Sequence, residues 1–144
     1  MNMRTLSLAA LTLLDVPPPE QVRIAAQAGF THVGLRLLPA TPSDPDYAML
    51  GDTPAVRDTL AALMATGVRV SDVEIVRLTP DFALNARLRL FLDTAARLGA
   101  KQVLVAGNDD NRVRSAENLA RLAEAGQEHG LTMNLEPMPW THLR

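Results

Sequence analysis

The chain has 144 residues, 47% hydrophobic but only 3% aromatic, which allows one domain with a core built from Leu, Val, Ala, Ile and Met. A net charge of −2 gives it no general attraction to nucleic acid or to an anionic membrane. It has no cysteine, which excludes disulfides, thiolate metal sites and thiol nucleophiles and fits a reducing, cytoplasmic setting.

The first apolar run, TLSLAALTLL, follows Arg4 and ends at Asp15 and three prolines. It carries Thr5, Ser7 and Thr12 and shows no small-x-small cleavage site, so a buried strand is favoured over a secretory signal. No stretch approaches the ~18 apolar residues that would span a membrane.

From there the chain repeats one grammar: an Ala/Leu-rich amphipathic run, a glycine, then a short apolar strand. The units are QVRIAAQAG–FTHVGLRLL, VRDTLAALMATG–VRVSDVEIVRL, LFLDTAARLG–AKQVLVAG and LARLAEAGQEHG–LTMNLEPMP, turning at Gly29, Gly67, Gly99 and Gly130. Glycine suits a helix end because the residue there often takes a positive φ. Thr53-Pro54 reads as an N-cap followed by proline in the first turn. Asp81 and Asn85 are candidate caps of the third helix, and Asp109, Asp110 and Ser115 of the fourth. The expected strands are β1 (about 5–14), β2 (about 31–38), β3 (about 69–78), β4 (about 102–107) and β5 (about 131–137), with a helix between each pair.

Strict alternation of strand and helix implies a parallel sheet. An open doubly wound sheet of flavodoxin type suits the length. A (β/α)₈ barrel takes roughly 250 residues, so this chain would be part of one. The chain ends a few residues after β5 with no fifth helix to cover that strand, which favours the partial barrel. The segment 39–53, with three prolines, is a long loop after β2. In either architecture such loops line the ligand face.

Ligands of parallel α/β folds sit at the carboxyl ends of the strands. The polar residues near those ends are Asp15, Arg36, Asp72, Glu74, Arg77, Asn108 to Asp110, Asn134, Glu136 and His142. Glu136 ends an apolar strand just before Pro137; it could bind a hard divalent metal, move a proton or pair with an arginine. Asp72 and Glu74 share one strand face, with Val73 and Ile75 on the other. Two acids on a buried strand must face a cavity or find partners. Arg36 could serve Glu74 as that partner, or bind substrate hydroxyls or a phosphate, or do both. Asn108 is a candidate to reach the site, whereas Asp109 and Asp110 suit the N-terminus of the next helix. His32 and His129 have structural readings, and the Arg112/Arg114 pair reads as a solvated face. GxGxxG, P-loop and GxSxG motifs are all absent.

The segments AAQAGFTHVGLR, GVRVSDVEIVRL, AARLGAKQVLVAG and above all GLTMNLEPMPWT together resemble the sugar phosphate isomerase/epimerase group, the xylose isomerase-like barrels. The likeness covers nearly the whole chain in order and spacing. It implies an α/β fold, a TIM-type parallel barrel of which residues 1–144 form the N-terminal part, about four βα units plus β5. It also implies a divalent ion, Mn²⁺ or Mg²⁺, bound by the glutamate that ends β5. Glu136 matches that position, as metal ligand and as a carboxylate that moves a proton next to a carbonyl. The family's remaining ligands, an Asp, a His and a Glu, follow β6, β7 and β8, which lie outside this sequence. Where epimerases of the family carry a second Glu, this chain has His142 in the neighbourhood, a departure from the ketose-epimerase pattern.

The resemblance thus makes Arg36, Glu74, Asn108 and His142 candidates for binding a small sugar or sugar phosphate, with no nucleic acid and no membrane as partner. The expected activity is isomerase or epimerase chemistry, incomplete in this chain alone. The alternatives are a non-catalytic binding or assembly module and a flavodoxin-like effector-binding sheet. The open edges of β1 and β5 are expected to drive self-association.

Overall fold

The computed structural model describes residues 5–137. It contains β1 (Ser7–Leu8), α1 (Pro18–Gln27), β2 (His32–Arg36), α2 (Pro54–Thr66), β3 (Arg69–Leu78), α3 (Ala86–Arg97), β4 (Gln102–Gly107), α4 (Arg112–Gln127) and β5 (Thr132–Glu136). All neighbouring strands pair in parallel, in the order β1-β2-β3-β4-β5. A flavodoxin-like sheet is ordered 2-1-3-4-5 and reverses direction at a switch point. This sheet never reverses. It is wound as a barrel is wound, and it is not closed.

The helix ends follow the sequence. Thr53 accepts the Val56 N–H and Asn85 the Leu88 N–H, each satisfying one orphan donor of a first turn. The four unit-ending glycines all have positive φ, between 68° and 81°. Two expectations need correction. β1 is two residues long and gives way to a 3₁₀ turn, Ala10–Leu13. That run is Leu/Ala-rich rather than β-branched, so strand propensity is weak. Gln21 donates to the Leu13 and Val16 carbonyls and Tyr47 to that of Leu14, which satisfies the turn without a ladder. The cap of α4 is Asn111, which accepts the Arg114 N–H; Asp109 is otherwise engaged, as described below.

One hydrophobic cluster joins the helices to a single face of the sheet. Val33, Leu35, Val73, Val103 and Val105 from the strands meet Val22, Val56, Phe91 and Leu122 from the helices. The opposite face carries the polar strand residues. β5 is the most exposed strand, with Leu135 at 41%. Leu6 and Leu11 are exposed beside β1 at the other edge. Among the described residues no helix is long and apolar enough to cross a membrane.

Candidate active-site face

The face away from the helices is organised by strand register. Arg36 lies opposite Glu74, and Gly34 opposite Asp72. A Cβ on Gly34 would come within 2.7 Å of Asp72 Oδ2, so glycine there makes room for the acid. Asp72 in turn accepts a hydrogen bond from Ser71, whose hydroxyl also meets that of Ser7 at 2.8 Å. On the far strand, Glu136 is in register with Ala106 and Asn134 with Leu104. Asn134 donates to Gln102 Oε1 at 2.7 Å.

Arg36 binds Glu74 Oε1 through Nε (3.0 Å) and Nη2 (2.8 Å), and Asp44 Oδ2 through Nη1 (3.0 Å). Asp44 also accepts from the backbone N–H groups of Ala40 and Thr41 and from the Thr41 hydroxyl. The Thr41 hydroxyl, helped by those N–H groups and by Arg36, holds the Asp44 carboxyl below its ordinary value. One guanidinium thus pins the loop after β2 to the middle of β3. Asp44 was not legible as a site residue, because nothing in a proline-broken loop fixes which side chain turns inward.

Glu74 is buried, and that burial raises its pKa above the ordinary glutamate value. Arg36 pulls it back down, while Asp72 and Glu136 push it up. Three carboxylates therefore share one electrostatic neighbourhood, with Arg36 as the cation bound to its buried member. Glu136 itself is exposed at the strand end. Asn108 is half-buried, and its backbone N–H is tied to the Leu78 carbonyl at 2.9 Å, which places it where β3 and β4 leave the sheet. His142 lies outside the described residues. Among the described residues no group of three or more His, Cys, Asp or Glu converges as a metal site.

One arginine differs from its sequence reading. Arg114, read as part of a solvated face, grips the buried Asp109 with Nε and Nη2 at 2.6 and 2.7 Å. The Arg114 hydrogen bonds hold Asp109 at a pKa of about 2, aided by the Asn111 N–H. Asp109 is shielded by its partner rather than by depth, since Arg114 is 41% exposed. A carboxylate whose pKa is depressed by folding stabilises the fold above its unfolded value and loses that contribution as pH falls through the folded one. We therefore expect acid melts between pH 4 and 2 to separate the wild type from Asp109→Asn, with wild-type stability falling more steeply across that window; parallel curves would refute it.

Ile75 departs from its expected face. Strict alternation puts it on the face of Val73. The register between β3 and β4 slips between Val73 and Val76, and Val76 and Leu78 join the helix-side cluster. Arg77, between them, is thereby turned to the polar face, beside the buried Ile75, which stands outside that cluster.

The family described as xylose isomerase-like TIM barrel matches residues 22–144. No curated protein matches the sequence. Among solved structures, the IolI protein with a bound zinc atom superposes with a TM-score of 0.71 at 14% identity, covering 97% of this chain and 54% of that one. A xylose isomerase domain-containing protein from Salmonella typhimurium LT2 gives 0.70 at 16%, over 99% and 55%. A sugar phosphate isomerase/epimerase from Parabacteroides distasonis ATCC 8503 gives 0.60 at 18%, over 95% and 52%. At these identities the likeness speaks for the fold, and the chain spans about half the length of the structures it matches. With a match that extends over most of its residues, the chain belongs to the xylose isomerase-like TIM barrel family.

Proposed function

We propose that this chain carries the N-terminal half of the site of a sugar or sugar phosphate isomerase/epimerase, in which Glu136 is both a ligand of a divalent metal and a carboxylate that moves a proton next to a carbonyl. The observation that carries the reading is the position of Glu136. It ends β5 on the polar face, in register with Ala106 and within electrostatic reach of Glu74.

A hard divalent cation such as Mn²⁺ or Mg²⁺ takes about six oxygen ligands. Glu136 fits as one of them, being exposed and a carboxylate; the described residues supply no second and third ligand beside it. The metal, where bound, supplies Lewis-acid polarisation of the substrate carbonyl. The chain's own part is orientation and proton handling. Arg36 has N–H donors beyond those spent on Glu74 and Asp44, and these are directed to substrate hydroxyls. Glu74, with its pKa raised by burial, is poised to share a proton with a substrate oxygen. Asn108 and His142 complete the proposed substrate wall.

Titration of Mn²⁺ into the chain by calorimetry tests this. Weak saturable binding is expected, reduced at least tenfold by Glu136→Ala. Equal binding by both proteins, or by neither, removes Glu136 from the metal role.

A further inference from the structure

A cavity of about 240 Å³ opens at the carboxyl end of β3, lined by Arg77, Thr79, Asp81, Asn85, Arg87 and Leu88 among others. Arg77 Nε is buried and has no hydrogen-bond partner; it is the one such side-chain atom among the described residues. Nor does Arg77 form a salt bridge among those residues. A buried donor on a charged group costs free energy until an acceptor reaches it. The Nε–Nη edge of a guanidinium is a planar fork that matches the paired oxygens of a carboxylate or phosphate. The cavity's charged side chains are two arginines against one aspartate, a positive balance. Among the described residues Arg87 is held only by a 4.0 Å contact to the exposed Asp46, which leaves it free to turn toward an anion at the rim.

Register sets what lies next to this cavity. Arg77 pairs with Ala106, and Ala106 pairs with Glu136. The two charged residues stand in one row across three strands, about 10 Å apart at their Cα atoms given the usual strand spacing. The strand between them contributes only a methyl group. The cavity is smaller than the ~300–1,000 Å³ of whole small-molecule pockets, so it takes one end of a ligand rather than all of it.

We propose that Arg77, with Arg87 at the rim, forms an anion subsite that holds the phosphate or carboxylate end of a short hydroxylated substrate. The assignment of that ligand as the substrate rests on the proposed role of Glu136; the anion subsite stands on the geometry of β3 alone.

The test is a titration of the whole chain with inorganic phosphate and, separately, with acetate, following the Arg77 Nε–Hε resonance by ¹H–¹⁵N NMR. A saturable shift of that resonance is expected, with the tighter anion identifying the phosphate or the carboxylate end. Arg77→Gln is expected to weaken the anion at least tenfold. Glu136→Ala is expected to leave it unchanged while losing Mn²⁺, so failure of the metal reading and failure of the anion reading are told apart. An unmoved Arg77 resonance with both anions overturns the proposal even if Arg77→Gln does not fold, and so does equal anion binding by wild type and a folded Arg77→Gln.

Discussion

Arg36→Met is expected to destabilise the fold by about 3 kcal/mol at pH 7, the lower end of what breaking a buried ion pair costs. The side chains of Arg36 and Glu74 are 11% and 6% exposed. Removing the guanidinium strips Glu74 of both contacts, while Met keeps the packing of the stem. The loss falls at the lower end because Glu74 has an escape: it can take a proton. Burial already lifts its pKa above the ordinary 4.5, and Arg36 is what limits the rise. An acid whose pKa is raised by folding contributes stability below its unfolded value and loses it as pH rises through the folded value. Without Arg36 that folded value climbs further, so the deficit of the variant is largest near neutrality and shrinks toward pH 5. Thermal melts across this range measure it, at roughly 4 °C per kcal/mol for a chain of this size. A small, pH-independent deficit would mean that Glu74 is solvated from the polar face. The double variant Arg36→Met/Glu74→Leu is expected to recover most of the loss, because removing both charges removes the burial cost as well.

The same ion pair shows how far sequence reasoning reaches. Asp72 and Glu74 on one strand face required partners, and Arg36 at matching parity on the neighbouring strand was legible as one. β3 and β4 were legible to the residue because each is a β-branched run that follows soon after a glycine turn. Glu136 was legible as the last residue of β5 because Pro137 follows it. What escaped were features set by a second, competing interaction. Asp109 looked like a helix cap, but Arg114 claims it and Asn111 caps instead. Ile75 was expected on the face of Val73, but a slip of register in β3 turns it to the other face. Asp44 lies in a loop whose path is fixed by contacts to Arg36 and to its own backbone, and no periodicity encodes those.

Phe91→Ala is expected to cost about 3–5 kcal/mol, the range for truncating a fully buried phenylalanine. α3 buries Leu88, Phe91, Leu92 and Ala95, the i, i+3, i+4, i+7 spacing of one helical face. Phe91 is the largest of the fully buried side chains among the described residues, in a chain with few aromatics to share its work. No neighbour can refill its volume cheaply, because the surrounding Val and Leu side chains are already committed to the same cluster. Folded domains are stable by about 5–15 kcal/mol, so this one truncation consumes a large part of the total. Phe91→Leu keeps most of the volume and is expected to cost under about 1.5 kcal/mol. Urea unfolding measures both, with the midpoint falling and the slope unchanged. Equal small losses for Ala and Leu would show that α3 can collapse onto the sheet. That outcome would also move Asn85 and Arg87, which stand at the head of α3 and line the cavity of Arg77. The aromatic in the helix-side core therefore supports the cavity wall on which the anion subsite depends.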